Sequence, residues 1–225
     1  QIMNDVCPAF ADCPIGAQPS GRILYFVSRR LRLGLRRYEK KDVVSPSGGL
    51  PRVLMYSFPH SASRAGLSEK QEEPRGPRTW FPDAGVLIGR PGEHTSCRMG
   101  VALKGGHNAE HHNHNDVGSH VVVVGSDPVL LDPGPEVYTA RTFSDKRYKS
   151  DVLNSFGHPV PLVAGELQRQ GRKARAELVE KSFGETKDKL VLDLSSAYRV
   201  PELQKLRRTF TYSRGGNGSL AITDR

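Results

Sequence analysis

The sequence predicts a mainly β chain, a large antiparallel β-sandwich with a helix ahead of it. From Arg78 onward, short apolar or β-branched runs recur, separated by turn residues such as Gly184 and Gly215-Gly216. Seven or more such runs with no helical periodicity between them read as strands of a sandwich or barrel. Composition agrees: 36% of residues are hydrophobic, and 23 glycines and 16 prolines supply turns, which suits strands and short loops better than a helical bundle. At 225 residues the chain is long enough to bury a real core.

Residues 21–40, GRILYFVSRRLRLGLRRYEK, place Ile23, Phe26, Val27 and Leu31 at helical steps behind Ser20, a suitable N-cap. This reads as a basic amphipathic helix packed by its apolar face. Residues 41–77 lose periodicity and fill with Pro, Gly, Ser and charge, the composition of a linker. TWFPDAGVLIGR then holds two short apolar pieces around Pro82-Asp83, and SCRMGVALKG alternates. SHVVVVGSDPVLLDPG is a β-branched run, a turn and a second strand, hence a hairpin. KARAELVEK, DKLVLDLSSAYRV, LRRTFTYSR and GSLAITDR supply the later strands. Trp80 is expected in the core, and Tyr138 as a packed turn residue.

The bulk numbers narrow function. With 33 basic and 24 acidic residues the net charge is +9, which favours polyanionic partners. No apolar run approaches the roughly 18 residues of a membrane span, so none is expected to cross a bilayer. The chain opens on Gln1 with no secretion leader visible, and reads as a piece cut from a longer protein. Cys7 and Cys13 either close a small disulfide loop or stay as thiols; Cys97 is left odd.

Chemistry concentrates in GGHNAEHHNHNDVGSH, residues 105–120, which holds His107, His111, His112, His114 and His120, five of the eight histidines. His112, His114 and Asp116 are spaced by two, so on an ideal strand they share a side. Two imidazoles do not complete a zinc site, which takes three or four N, O or S ligands. Asp132, just past the second hairpin strand, and His158, in NSFGHPVP, are the candidates to close the set with His114. A polar loop held by Asn and Asp hydrogen bonds is the other reading. A cupin-type site is disfavoured, because no Glu follows the HxH pair. His107 and His111 are expected at the surface or behind the site, and His120 as a hydrogen-bonded side chain in a strand.

Together HHNHNDVGSHVVVVGSDPVLLDPG, the YT that follows, FSDKRY and NSFGHPVPLVAGELQ resemble the heparinase II/III-like polysaccharide lyases, and FPDAGVLIGR resembles the start of the same domain. The resemblance covers residues 78–170 and rests on several short motifs in order. It implies an (α/α) toroid followed by a β-sandwich. Residues 1–40 would then be the tail of a truncated toroid, 41–77 a linker and 78–225 the sandwich. It implies His114, Asp132 and His158 as ligands of a structural Zn²⁺, and His112 and Tyr148 as catalytic residues facing a uronate. Asn113 and Arg147 are expected at the substrate.

The implied activity is β-elimination on an acidic, uronate-containing polysaccharide such as a heparan sulfate or an alginate, in a periplasmic or secreted setting. The principal catalytic tyrosine and the groups that neutralise the uronate carboxylate would lie on the toroid, outside this chain. A non-catalytic carbohydrate-binding or scaffold module with a structural metal is the alternative. Nucleic-acid binding rests on charge alone and ranks last, with no RNP-like or helix-turn-helix pattern.

Overall fold

The computed structural model describes residues 2, 3, 6–17 and 76–225. Residues 18–75 group as a separate unit outside the described residues, as do the helix expected over 21–40 and the linker expected over 41–77 as far as residue 75. Residues 1–17 share a compact unit with residues 76–225.

Two antiparallel sheets dominate that unit. The first has the order β1-β2-β3-β5-β6, from β1 (Arg78–Phe81), β2 (Val86–Gly89), β3 (Met99–Lys104), β5 (His120–Val124) and β6 (Asp127–Leu130). The second has the order β11-β10-β9-β8, from β8 (Glu177–Phe183), β9 (Lys187–Asp193), β10 (Arg207–Ser213) and β11 (Ser219–Asp224). A small ribbon pairs β4 (His107–Asn108) with β7 (Gly171–Arg175). The expected hairpin is β5 and β6, paired Val124 to Asp127. KARAELVEK is not one strand. The chain changes partners at Ala176, whose N–H donates to the Gly106 carbonyl. The piece before it pairs with β4 and the piece after it with β9.

Side-chain alternation explains why the β5 run is apolar throughout. Leu87, Val101, Leu103 and Val122 point to Leu190, Leu192, Phe210 and Tyr212 of the second sheet. Their neighbours Ile88, Ala102, Val121 and Val123 point the other way and pack with Ile2, Met3, Val6 and Phe10. The central strands β2, β3 and β5 are thus buried on both faces, and such strands lose the polar half of the two-residue pattern. The N-terminal segment forms the cover of the outer face.

The two sheets are also tied by charge. Asp188 of β9 accepts from Arg78 Nε at 2.8 Å and from Arg214, just past β10. Arg214 donates further to the carbonyls of Arg90 at 2.6 Å and Pro77 at 2.7 Å. Arg214 and Asp188 are both fully buried, so each charge is stable there only with its partners present. Trp80 lies half-buried at the margin of the core, with Lys181 over its ring. Cys7, Cys13 and Cys97 are all free thiols.

Candidate metal centre and the surface above it

The segment between β4 and β5 is not a strand. His112 adopts φ +57°, a left-handed conformation unfavourable for a residue with a Cβ, and the chain bends there. The bend separates the two histidines. The His112 side chain is 67% exposed and His114 is fully buried. Asp116, which an ideal strand would put beside them, instead accepts from the buried Lys104 ammonium at 2.5 Å. At Gly118, φ is +86° and a Cβ would meet Leu194 Cδ1 at 2.7 Å, so glycine is required where the segment turns into β5.

His114 meets Asp132 and His158, the ligand atoms lying within 4.8 Å of one another and all three residues buried. Asp132 follows β6, which the hairpin returns beside the start of β5. His158 is held by the single 3₁₀ turn Ser155–Gly157, which Asn154 caps by accepting from the Phe156 N–H at 2.8 Å. Within that turn a Cβ on Gly157 would lie 2.4 Å from the Asp151 carbonyl oxygen.

The hydrogen bonds around these three residues leave a set of unshared acceptors. His158 Nε2 lies 3.1 Å from the Val152 carbonyl, which only accepts, so Nε2 carries the proton. In the neutral ring, Nδ1 would then present a lone pair to Asp132 Oδ2 at 2.9 Å. His114 Nε2 donates to Asp12 Oδ1 at 2.9 Å, leaving Nδ1 bare, buried and without a partner. Asp132 Oδ1 is also buried and unpartnered, while Oδ2 accepts from Ser119 Oγ at 2.9 Å. With both rings neutral, two imidazole nitrogens and one carboxylate gather there with no donor among them except a serine hydroxyl. A divalent cation satisfies this arrangement, and the His/His/Asp set is of the kind Zn²⁺ takes. Burial holds the His114 imidazole below its usual pKa, against the opposing hydrogen bond that it donates to Asp12, which favours the neutral form a metal requires.

A surface layer lies above the buried triad. Asp12 Oδ2 accepts from Tyr138 Oη at 2.6 Å and lies 3.2 Å from His112 Nδ1. Arg147 Nη2 lies 3.3 Å from both Asp12 oxygens and 2.9 Å from the Asn113 carbonyl. The Asp12 carboxyl is desolvated, which alone would raise its pKa. The Tyr138 and His114 hydrogen bonds and the Arg147 charge outweigh this and hold it below the usual value. The hydrogen bond to Asp12, first, and then burial raise the Tyr138 hydroxyl, so it stays a donor.

The sequence-derived residues therefore fall into two layers. His112 is exposed, while Tyr148 is half-buried and accepts from Asn113 Nδ2 at 3.2 Å. Asn113 is 4% exposed and props Tyr148 instead of opening to solvent. Arg147 is committed to the loop and to Asp12. Tyr138 is not the packed turn residue expected: it is 44% exposed and stacks beside His112 at 6.4 Å between ring centroids. His107 Nδ1 accepts from the Ala109 N–H and His111 is exposed. His120, expected to be hydrogen-bonded, is buried with Nδ1 unpartnered and lies edge-on to Phe210. Asp12 gave no signal in the sequence; a lone Asp about a hundred residues from the cluster has no spacing to betray it.

The fold places the chain among antiparallel β-sandwich domains, here with a His/Asp/His group that could hold a metal. The family model Heparinase II/III-like, C-terminal, matches residues 73–225, and the chain belongs to that family. No curated protein matches. Among solved structures, a heparinase III with methylated lysines superposes with TM-score 0.59 at 12% identity, covering 99% of this chain and 29% of that one. A heparan sulfate lyase mutant from Pedobacter heparinus gives 0.54 at 14% identity, covering 99% and 30%. A further heparinase III gives 0.52 at 13%, covering 98% and 30%. The chain spans less than a third of the length of these structures.

Proposed function

We propose that this chain is the sandwich part of a polysaccharide lyase that cleaves a uronate-containing acidic polysaccharide by β-elimination, with Zn²⁺ held by His114, Asp132 and His158. The observation that carries the reading is the bend at His112. It turns one histidine to solvent and its neighbour but one into a buried cluster of unshared acceptors, in a chain of the heparinase II/III-like family. Solved structures sharing the fold bear the names heparinase III and heparan sulfate lyase.

The chemistry asks for residues of this kind. β-Elimination removes the C5 proton of the uronate and breaks the bond from C4 to the bridging oxygen. Charge builds on the carboxylate side in the transition state, so donors that neutralise the carboxylate lower the barrier. A base takes the proton and an acid protonates the leaving oxygen. In this reading His112 meets the sugar at the reacting uronate, Tyr148 contributes a hydroxyl whose position Asn113 fixes, and Arg147 stabilises the loop that carries both. The metal, when bound, cross-links three loops and so fixes the rigid floor under His112. Residues on a preceding helical domain complete the site. A periplasmic or secreted location goes with this reading; among the described residues no helix is long and apolar enough to cross a membrane.

The test is to incubate the complete encoded protein with heparan sulfate, chondroitin sulfate, hyaluronan and alginate and to follow ultraviolet absorbance of the unsaturated product. Growth of absorbance on one or more of these supports the lyase. Saturable binding with no absorbance change across the panel would replace it with the non-catalytic carbohydrate-binding module.

A further inference from the structure

Among the described residues, Asp12 is the carboxylate that touches both layers of the centre. Its Oδ1 accepts from His114 Nε2 at 2.9 Å, while its Oδ2 faces His112 Nδ1 at 3.2 Å and accepts from Tyr138 Oη at 2.6 Å. The side chain is 5% exposed. Its backbone is pinned too: the Asp12 N–H donates to the His112 carbonyl at 3.3 Å. Close approach of the segment also depends on Gly134, at φ +69°, where a Cβ would lie 3.0 Å from the Cys13 carbonyl oxygen. Asp12 is therefore built into the centre from an N-terminal segment otherwise occupied in covering the first sheet.

We propose that Asp12 is a positioning residue that sets the tautomers of His112 and His114 in opposite senses. An ionised carboxylate only accepts hydrogen bonds, so each histidine nitrogen facing it carries the proton. For His114 that nitrogen is Nε2, which leaves the buried, unpartnered Nδ1 as the nitrogen a metal shared with Asp132 and His158 would take. For His112 it is Nδ1, which also lies 3.0 Å from Tyr138 Oη, a hydroxyl whose own proton goes to Asp12; this leaves Nε2 bare, with no partner among the described residues. One anion thus presents one imidazole lone pair inward to a metal and the other outward to a sugar. Partners of this kind fix ring orientation and raise ligand basicity. Tyr138 and Arg147 hold the carboxylate in place by donating to it. The proposal rests on the metal-site reading given above, and concerns the residue that prepares the site, not the ligands.

Two measurements on the complete protein at one fixed pH near 8 test it. In wild type, long-range proton–nitrogen correlation spectra are expected to show His114 as the Nε2–H tautomer and His112 as the Nδ1–H tautomer. Finding either ring predominantly in the other tautomer overturns the proposal, and this readout needs no variant. Second, zinc affinity is measured by competition with a chromophoric chelator in wild type and in Asp12→Asn, with Glu180→Gln, an exposed carboxylate of β8 paired with Lys189, as a control outside the Asp12 network. Asp12→Asn is expected to weaken zinc binding about 10- to 100-fold and to erase the His112 tautomer preference, with the control at wild-type affinity. Equal affinity in wild type and Asp12→Asn overturns the role of Asp12 while the metal site stands. No zinc bound by wild type removes the metal site itself, and this proposal with it.

Discussion

Asp132→Asn should reverse sign with metal. Without a cation, Asp132 is a fully buried carboxylate whose hydrogen-bonding neighbours are the Ser119 hydroxyl and the bare Nδ1 of His158. An asparagine amide keeps the shape and supplies a donor to that nitrogen. It removes a buried charge held by one hydroxyl and turns an acceptor–acceptor contact into a hydrogen bond, a change worth about 1–3 kcal/mol in all. In chelator at pH 8, the variant should therefore be more stable than wild type by about 2 kcal/mol. At ~2–4 °C per kcal/mol for a domain of this size, Tm should rise by about 4–8 °C. With zinc at a hundredfold excess over Kd, wild type gains about 2.7 kcal/mol, the variant gains little, and the order inverts. Thermal unfolding with and without zinc, by calorimetry or dye fluorescence, reads both. If Asp132→Asn is less stable than wild type in chelator at pH 8, a proton shared with His158 fills the space, and the argument from unshared acceptors fails.

Other outcomes follow from the same geometry. Asp188→Ala strands the buried Arg214 guanidinium and should cost about 3–5 kcal/mol in urea unfolding; a loss under 1 kcal/mol would mean water reaches that pair. Burial, then Arg208, depresses His120 to about 4 from 6.5. The unfolded chain thus binds this proton first, and stability falls as pH drops from about 6.5 to about 4. In chelator, wild type should lose on the order of 2 kcal/mol more than His120→Asn across that window, and parallel curves would contradict this. His112→Gly relieves the left-handed strain at φ +57° and should raise stability by about 1 kcal/mol while abolishing elimination in the absorbance assay; retained turnover would remove His112 from the site.

The strands were legible because burial leaves a period. Leu87 and Ile88, or Val122 and Val123, face opposite sides of one sheet, and the run at β5 lost its polar half only because both faces are covered. That Ile2, Met3, Val6 and Phe10 form the cover was not legible, since they have no periodicity of their own. His114, Asp132 and His158 were within reach of the sequence because a hairpin brings its two ends together and the motif order supplied the third. The separation of His112 from His114 was not visible in their spacing. An ideal strand puts both on one side, and a single positive φ undoes that. Tyr138 and Asp12 were missed for a shared reason: each matters through the other, across more than a hundred residues, and neither carries a local pattern. His120 was misjudged because its ring packs on Phe210 as an apolar body would, leaving Nδ1 without a partner.

The central claim is that three buried acceptors hold a divalent cation beneath an exposed histidine. Elemental analysis of the complete protein, purified after zinc supplementation, tests it against His114→Ala and His158→Ala. About one zinc per chain is expected in wild type, the complement of a three-residue site, with a clear loss in both variants. Equal zinc in wild type and variants, or none in wild type, would contradict it.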